Sequence, residues 1–224
     1  MDRPSDTNEM SDVLSRLHVR MPSRVYRTGR RRPGVAETRK RILQAVRELL
    51  AEGRFHEATV GEVAARAGVA RSTLHLHFGS RIGLVDAICE LLAGGGERAG
   101  IRSSLELPDP AEALRSVLSA AVRFWAAEEN LHRGLYGLAE IDPAARAFVE
   151  RQTTGRRTDL RRLSKRLHDR GRLRPGLQVE DALSLLLVAT SFATFDELRR
   201  NARLTPSAVE QAVARVATVL LNDT

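Results

Sequence analysis

The segment from Thr59 to Arg81, TVGEVAARAGVARSTLHLHFGSR, constrains the fold more than any other part of the chain. Thr59 and Glu62 have the spacing of a capping box, in which each side chain accepts a hydrogen bond from the other residue's backbone N–H. A helix should therefore begin at Thr59, and Gly68 stands where a left-handed residue would end it. A second helix, about Arg71 to Phe78, should follow this turn.

The second helix has one inward face and one outward face. Val69, Leu74 and Phe78 should turn inward at helical spacing. The residues expected on the outward face all carry hydrogen-bonding groups, and none is apolar: Arg71, Ser72, Thr73, His75 and His77. Two short helices crossing through a tight turn form a helix-turn-helix, whose second helix enters the major groove of DNA. The alternative is a helical hairpin buried in a larger bundle.

A cluster of positive charge lies beside this segment. Residues 16–41 hold ten Arg or Lys side chains against one acid, Glu37, in a chain of net charge +8. A basic run can be a solvated tail. Next to a helix-turn-helix it favours an arm that reaches phosphates or an adjacent minor groove. The candidate residues in this arm are Arg24, Arg27, Arg30, Arg31 and Arg32.

These positions together resemble the TetR family of bacterial regulators, with the likeness extending from about Thr38 to Ile88. The matching positions are Thr59, Val60, Val63, Ala64, Ala67, Gly68, Val69, Thr73, Leu74, His77 and Phe78. His75 replaces the usual tyrosine, and Arg81 replaces the usual lysine. The resemblance implies base-edge contacts from Arg71, Ser72 and Thr73. It also implies phosphate contacts from Thr59, His75, His77 and Arg81.

The remaining sequence predicts an all-α protein of about nine helices. A helix over Ala36 to Ala51, ended by Gly53, completes a three-helix head with Phe55 in its core, and Ser80 caps a fourth helix. Later helices are expected after Asp109–Pro110, from Asp142–Pro143 toward Asp169, over Val179–Arg200, and from Thr205–Pro206. The expected domains are a flexible basic arm (1–34), a DNA-binding domain (35–95) and a helical effector-binding and dimerisation domain (96–224).

The apolar residues of the second domain suggest a partner and a ligand. The run LSLLLVATSF is apolar nearly all round, so one side is expected to face a second subunit. The resemblance implies a two-fold dimer through the last two helices, with recognition helices about 34 to 36 Å apart over a near-palindromic site. The candidate effector-lining residues are Trp125, Tyr136, Phe124, Phe148, Phe192 and Phe195. Aromatic residues at helical spacing more often belong to the ordinary core. Arg123 and His132 could add a polar contact to the effector, but a solvated surface position is favoured for both.

Several other classes of protein are disfavoured. The chain has no P-loop, dinucleotide fingerprint, G-x-S-x-G elbow or H-E-x-x-H, so we expect no catalysis, metal or cofactor. Cys89 is the only cysteine, which suits a small core residue, with a redox sensor as the alternative. No run approaches the ~20 apolar residues of a membrane span, so a cytoplasmic protein is expected. Met1, Met10 and Met21 are alternative translation starts.

These features predict a sequence-specific regulator that binds double-stranded DNA as a homodimer and responds to a small-molecule effector. The sequence does not specify the effector. The resemblance makes the fourth helix the lever between effector and head. Repression is favoured, because a dimer over a promoter blocks polymerase without further contacts. The competing interpretation is a basic protein that binds DNA regardless of sequence.

Overall fold

The computed structural model describes residues 34–93 and 96–222. This part of the chain forms eleven helices and no strand beyond one isolated antiparallel bridge between Leu173 and Leu221. In chain order they are α1 Val35–Ala51, α2 Val60–Arg66, α3 Arg71–Phe78, α4 Arg81–Ala93, α5 Gly96–Leu105, α6 Pro110–Ala127, α7 Glu129–Ala139, α8 Pro143–Asp169, α9 Val179–Ala189, α10 Phe192–Arg200 and α11 Pro206–Leu220. The all-α class is confirmed. No helix in these ranges is both long and apolar enough to cross a bilayer.

The helix starts predicted from the sequence are present. The Thr59 hydroxyl accepts the Glu62 N–H at 3.2 Å, and the Glu62 carboxylate accepts the Thr59 N–H at 2.7 Å. Asp109 and Asp142 each accept first-turn N–H groups ahead of a proline. These capping bonds satisfy backbone donors that a helix cannot pair internally. Local sequence therefore determines where α2, α6 and α8 begin.

The expectation of one continuous helix over Val179–Arg200 is wrong. Helix α9 ends at Ala189, with Thr190 as its C-cap. The Ser191 hydroxyl then accepts the Thr194 N–H at 3.0 Å as the N-cap of α10. A serine side chain offers the backbone a local bond that competes with helix continuation. This break, together with α5 and α7, accounts for the difference between the eight helices located individually from the sequence and the eleven observed.

Two hydrophobic clusters hold the described residues together. The head cluster joins α1 to α4 with α7 and the start of α8, and it contains the predicted core residue Phe55. The second cluster joins α6, the later part of α8 and α9 to α11. The head helices therefore share a core with helices from the second half of the chain. The domain boundary near residue 95 stays a prediction.

Cys89 lies within the head cluster, as expected for a core residue. Its side chain is 3% exposed. Burial raises the pKa of the thiol to about 12, with a further contribution from the nearby Asp86 carboxylate. Since the thiolate is the reactive form, this environment does not favour the alternative role as a redox sensor.

The backbones of α1 and α7 approach each other closely at Gly134. A Cβ atom placed on Gly134 would lie 1.8 Å from the Leu50 carbonyl oxygen. Any larger side chain must therefore push the two helices apart. Gly137, one turn further along α7, has no atom within 4 Å of the equivalent position.

We expect Gly134→Ala to lower the free energy of unfolding by about 1 to 3 kcal/mol, because overpacking moves α7 off α1. Gly137→Ala is the matched control and should be neutral or stabilising, since alanine favours a helix over glycine by about 1 kcal/mol. Urea unfolding followed by circular dichroism measures both. Equal stability of the two variants would contradict the close approach.

Candidate functional site

The turn between α2 and α3 is built around Gly68. Its φ is 63°, in the left-handed region. The Gly68 N–H donates to the Ala65 carbonyl at 3.0 Å, and the Val69 N–H donates to the Ala64 carbonyl at 2.9 Å. This pair of bonds is the Schellman motif, and the predicted end of α2 is confirmed. Glycine is required here for its backbone conformation.

Arg41 of α1 fixes the same turn from outside. Its Nη2 donates to the Ala67 carbonyl at 2.5 Å and to the Gly68 carbonyl at 2.8 Å. A Cβ on Gly68 would lie 2.5 Å from that nitrogen. The guanidinium thus satisfies carbonyls at the end of α2, where a positive charge is also favourable. The direction in which the chain leaves α2 is therefore tied to α1.

Helix α3 divides into two faces much as predicted. Leu74 is fully buried, Phe78 is 9% exposed, and the Arg39 guanidinium carbon lies 4.7 Å from the Phe78 ring centroid. Arg71, Ser72 and His75 are exposed, whereas Thr73 and His77 are half-buried. The Arg71 and Ser72 side chains make no hydrogen bond or ion pair within the described chain, so both are available to a partner.

The prediction that the outward face carries no apolar group is wrong. Leu76 of α3 is 84% exposed. It lies four residues after Ser72, so the two side chains share one face of the helix. A pattern search that assigns leucine to the core passes over this position. Leu76 is two residues from both Leu74 and Phe78, and residues two apart do not share a helix face. This spacing could have indicated that Leu76 is exposed.

Thr59 and His75 are partly committed to local hydrogen bonds. Hydrogen bonds from the Thr59 backbone N–H and side chain lower the pKa of the Glu62 carboxyl. The His75 Nδ1 lies 2.7 Å from the Gly79 carbonyl oxygen. Because a carbonyl only accepts, Nδ1 is the donor in this contact and Nε2 remains for an outside group. The phosphate contacts implied for these residues stay predictions.

Arg81 lies against the loop that precedes α2. Its Nη1 donates to the Ala58 carbonyl at 2.6 Å, and Nη2 donates to the Phe55 carbonyl. The guanidinium carbon also lies 4.2 Å from the Phe55 ring centroid. These contacts occupy the guanidinium in holding the head together, whereas the resemblance implied a phosphate contact.

We expect Arg81→Lys to lower the free energy of unfolding by about 1 to 3 kcal/mol in the absence of DNA, because a single ammonium cannot reproduce the forked contacts. Arg54→Lys is the control, since Arg54 is exposed and its contact with Glu52 is a long one of 3.7 Å. Urea unfolding measures both variants. An unchanged stability for Arg81→Lys would contradict the structural role of Arg81 and favour the phosphate contact that the resemblance implied.

A cavity of about 220 Å³ opens among α5, α6, α7 and α8. Its lining is mainly apolar, with a minority of polar and charged groups: Ile101, Arg102, Leu105, Val117, Ala121, Phe124, Trp125, Tyr136, Gln152, Thr153, Gly155, Arg156, Asp159, Leu160 and Thr190. An apolar wall with a few polar groups is the usual composition of a small-molecule site. No group of acidic, His or Cys side chains suited to a metal ion occurs in the described residues.

The aromatic candidates divide into three sets. Phe124, Trp125 and Tyr136 line the cavity. Phe148 lines a smaller hollow of about 20 Å³ behind them. Phe192 and Phe195 are buried in the second cluster and reach neither space. A ligand contact stays a prediction for each residue.

The polar groups of Trp125, His132 and Arg123 differ in their surroundings. The Trp125 Nε1–H donates to the Thr190 carbonyl at 3.1 Å, which occupies its polar end. The expectation of a surface position for His132 is wrong, since it is 3% exposed and lies 4.9 Å from Trp125 between ring centroids. Arg123 is exposed as expected, and it pairs with Glu210 at 3.1 Å.

Sequence reasoning missed the polar side of the cavity. Gln152, Arg156 and Leu160 lie four residues apart along α8, so they share one face of that helix. The sequence predicts this arginine-rich helix from Asp142–Pro143 toward Asp169 but assigns no functional face to it. The spacing of Gln152 and Arg156 with the apolar Leu160, four residues apart, is the signal that could have indicated a functional face.

Residues 42–88 match the family model described as bacterial regulatory proteins, tetR family. A search of curated proteins gave no significant match. NalD of Pseudomonas aeruginosa, the secondary repressor of the MexAB-OprM multidrug efflux pump, is similar in structure at 23% identity and a TM-score of 0.65, over 85% of this chain and 99% of that chain.

Two further solved structures are similar over most of both chains. The TetR-family regulator PfmR from Thermus thermophilus is 23% identical with a TM-score of 0.60, over 81% of this chain and 97% of that chain. FadR from Bacillus subtilis, solved in complex with stearoyl-CoA, is 19% identical with a TM-score of 0.65, over 81% and 98%. At such identities the likeness shows a shared fold.

Proposed function

We propose that this chain is a sequence-specific repressor, because residues 42–88 match the model of the tetR family of bacterial regulatory proteins and the fold is shared with regulators such as NalD. It acts in the cytoplasm, where its DNA lies, and leaves its operator when a small molecule occupies the cavity. Members of this family are DNA-binding transcription factors and not enzymes.

The observation that carries this proposal is the outward face of α3. Arg71 and Ser72 are exposed at the first turn of the helix and have no partner within the described chain. Leu76 lies further along, 84% exposed. An arginine can donate two bonds to guanine O6 and N7, and an apolar side chain can contact the thymine methyl group. The face therefore combines the two kinds of group that distinguish base pairs in a major groove.

We expect Arg71→Ala to relax specificity at a guanine by about 1 to 3 kcal/mol, and Leu76→Ala to weaken a thymine preference at another position. Selection of bound duplexes from random DNA, followed by sequencing, measures both effects. Arg157→Ala on α8 is the control, because its exposed side chain lies on another helix. An unchanged selected sequence for Arg71→Ala would contradict base reading by α3.

The alternative is a sequence-indifferent DNA-binding protein, which the net charge of +8 permits. The two functions differ in competition binding at fixed salt. A regulator should bind its selected duplex about a thousandfold or more tighter than random DNA, whereas a coating protein should not discriminate.

The proposed assembly is a homodimer through α9 and α11. These helices contact each other, and both expose aliphatic side chains. Leu185 and Val188 of α9 are 38% and 63% exposed, and Val219 of α11 is 50% exposed. Such a patch on two adjacent helices suits a self-complementary interface around a two-fold axis.

We expect Val188→Asp to shift the protein from a dimer to a 24.8 kDa monomer, because the dimer would bury an unpaired carboxylate. Sedimentation equilibrium measures the mass. Ile141→Asp replaces another exposed aliphatic residue, 65% exposed and outside these helices, and should remain dimeric. A dimeric Val188→Asp protein would place the interface elsewhere.

The route from cavity to head runs through α7 in addition to the expected α4. Tyr136 of α7 lines the cavity, and Gly134 of the same helix lies against the α1 backbone at Leu50. Arg47 of α1 pairs with Glu128 at the start of α7. A ligand that moves α7 would therefore move α1, which fixes the turn before α3. Coupling of this kind is typically worth 1 to 3 kcal/mol, or about 5 to 150-fold in affinity.

A further inference from the structure

The most informative group in the cavity is Arg156 of α8. This residue lines the cavity. Both of its hydrogen bonds leave from Nη1, to the Leu187 carbonyl and to the Thr190 hydroxyl oxygen, and both are 3.4 Å long. Bonds of this length are weak. Nε and Nη2 have no hydrogen-bond partner among the described residues.

Among the side chains that the structure describes, which exclude those of residues 93–98, none supplies a counter-charge to Arg156. No carboxylate of this set forms an ion pair with it, although other arginines of the second half, such as Arg133 and Arg199, are paired. Burial lowers the pKa of the Arg156 guanidinium, since desolvation penalises its charged form. A half-buried cation without an anion is costly unless something else pairs with it.

The remaining charges around the cavity favour an anion. Arg102 also lines it, and among the described side chains Asp159 is the one acidic group in the lining. Asp159 faces an adjoining hollow as well, where Glu106, Arg162 and Arg166 lie. Among the described residues, the four arginines that line the two spaces therefore outnumber the two carboxylates.

We propose that the effector of this protein is an anionic amphiphile, whose carboxylate or phosphate-type head pairs with Arg156 while its apolar body lies against the aromatic wall. The proposal rests on the cavity being the effector site of the proposed function. A guanidinium has two free N–H vectors in a fork that matches such a head group bidentately. The apolar body packs on Phe124, Trp125 and Leu160, which are buried against the cavity.

The test uses the full chain without DNA, so its result does not depend on whether α3 binds an operator. Trp125 is the only tryptophan in the sequence and lines the cavity, so its fluorescence reports ligand binding. The probes are octanoate, octyl sulfate and octyl phosphate, each compared with octanol, which has the same chain and no charge.

We expect the best anionic probe to bind about tenfold or more tighter than octanol. Arg156→Leu should remove this preference, and circular dichroism should show that the variant is folded. Arg156→Lys should retain part of the preference. Arg157→Leu, on the next and exposed position of α8, should retain all of it.

Two results would overturn the proposal. One is that no anionic probe binds the wild-type protein more tightly than octanol. The other is that Arg156→Leu keeps the anion preference of the wild-type protein. Release of a selected duplex by the anionic probes, measured separately, tests the proposed function and not the ligand class.

Discussion

The hydrogen bonds from Arg41 to the carbonyls of Ala67 and Gly68 are the contacts on which the candidate DNA-binding surface depends. They hold the end of α2 while Gly68 turns the chain with a positive φ. The backbone of α3 follows directly from this turn, and Leu74 and Phe78 fix its rotation by entering the head core. Only then do Arg71 and Ser72 point away from the protein together.

Helix α1, which carries Arg41, also packs against a helix from the second half of the chain. Helix α1 packs against α7 so closely that only a glycine fits at position 134. Helix α7 in turn carries Tyr136 into the cavity wall. One contiguous set of packed helices thus connects the cavity that Arg156 lines with the helix that we propose faces DNA. Such a connection allows the two sites to bias each other, and this influence is reciprocal.

Much of the head could be predicted because its signals are local. The capping box at Thr59, the glycine at position 68 and the spacing of Leu74 and Phe78 each act within a few residues. Arg81 could not be assigned in this way, since its partners, the carbonyls of Phe55 and Ala58, lie more than twenty residues earlier. The cavity depends on α5, α6, α7 and α8 meeting in space, so the sequence indicated its aromatic residues but not Arg156.

The most direct test of DNA recognition by α3 is a structure of the full-length dimer bound to its selected duplex. We expect the α3 helices of the two subunits to lie in successive major grooves, about 34 to 36 Å apart, with Arg71 at the base edges and the Gly68 turn intact. A complex in which the face of Arg71, Ser72 and Leu76 is turned away from the DNA would contradict it.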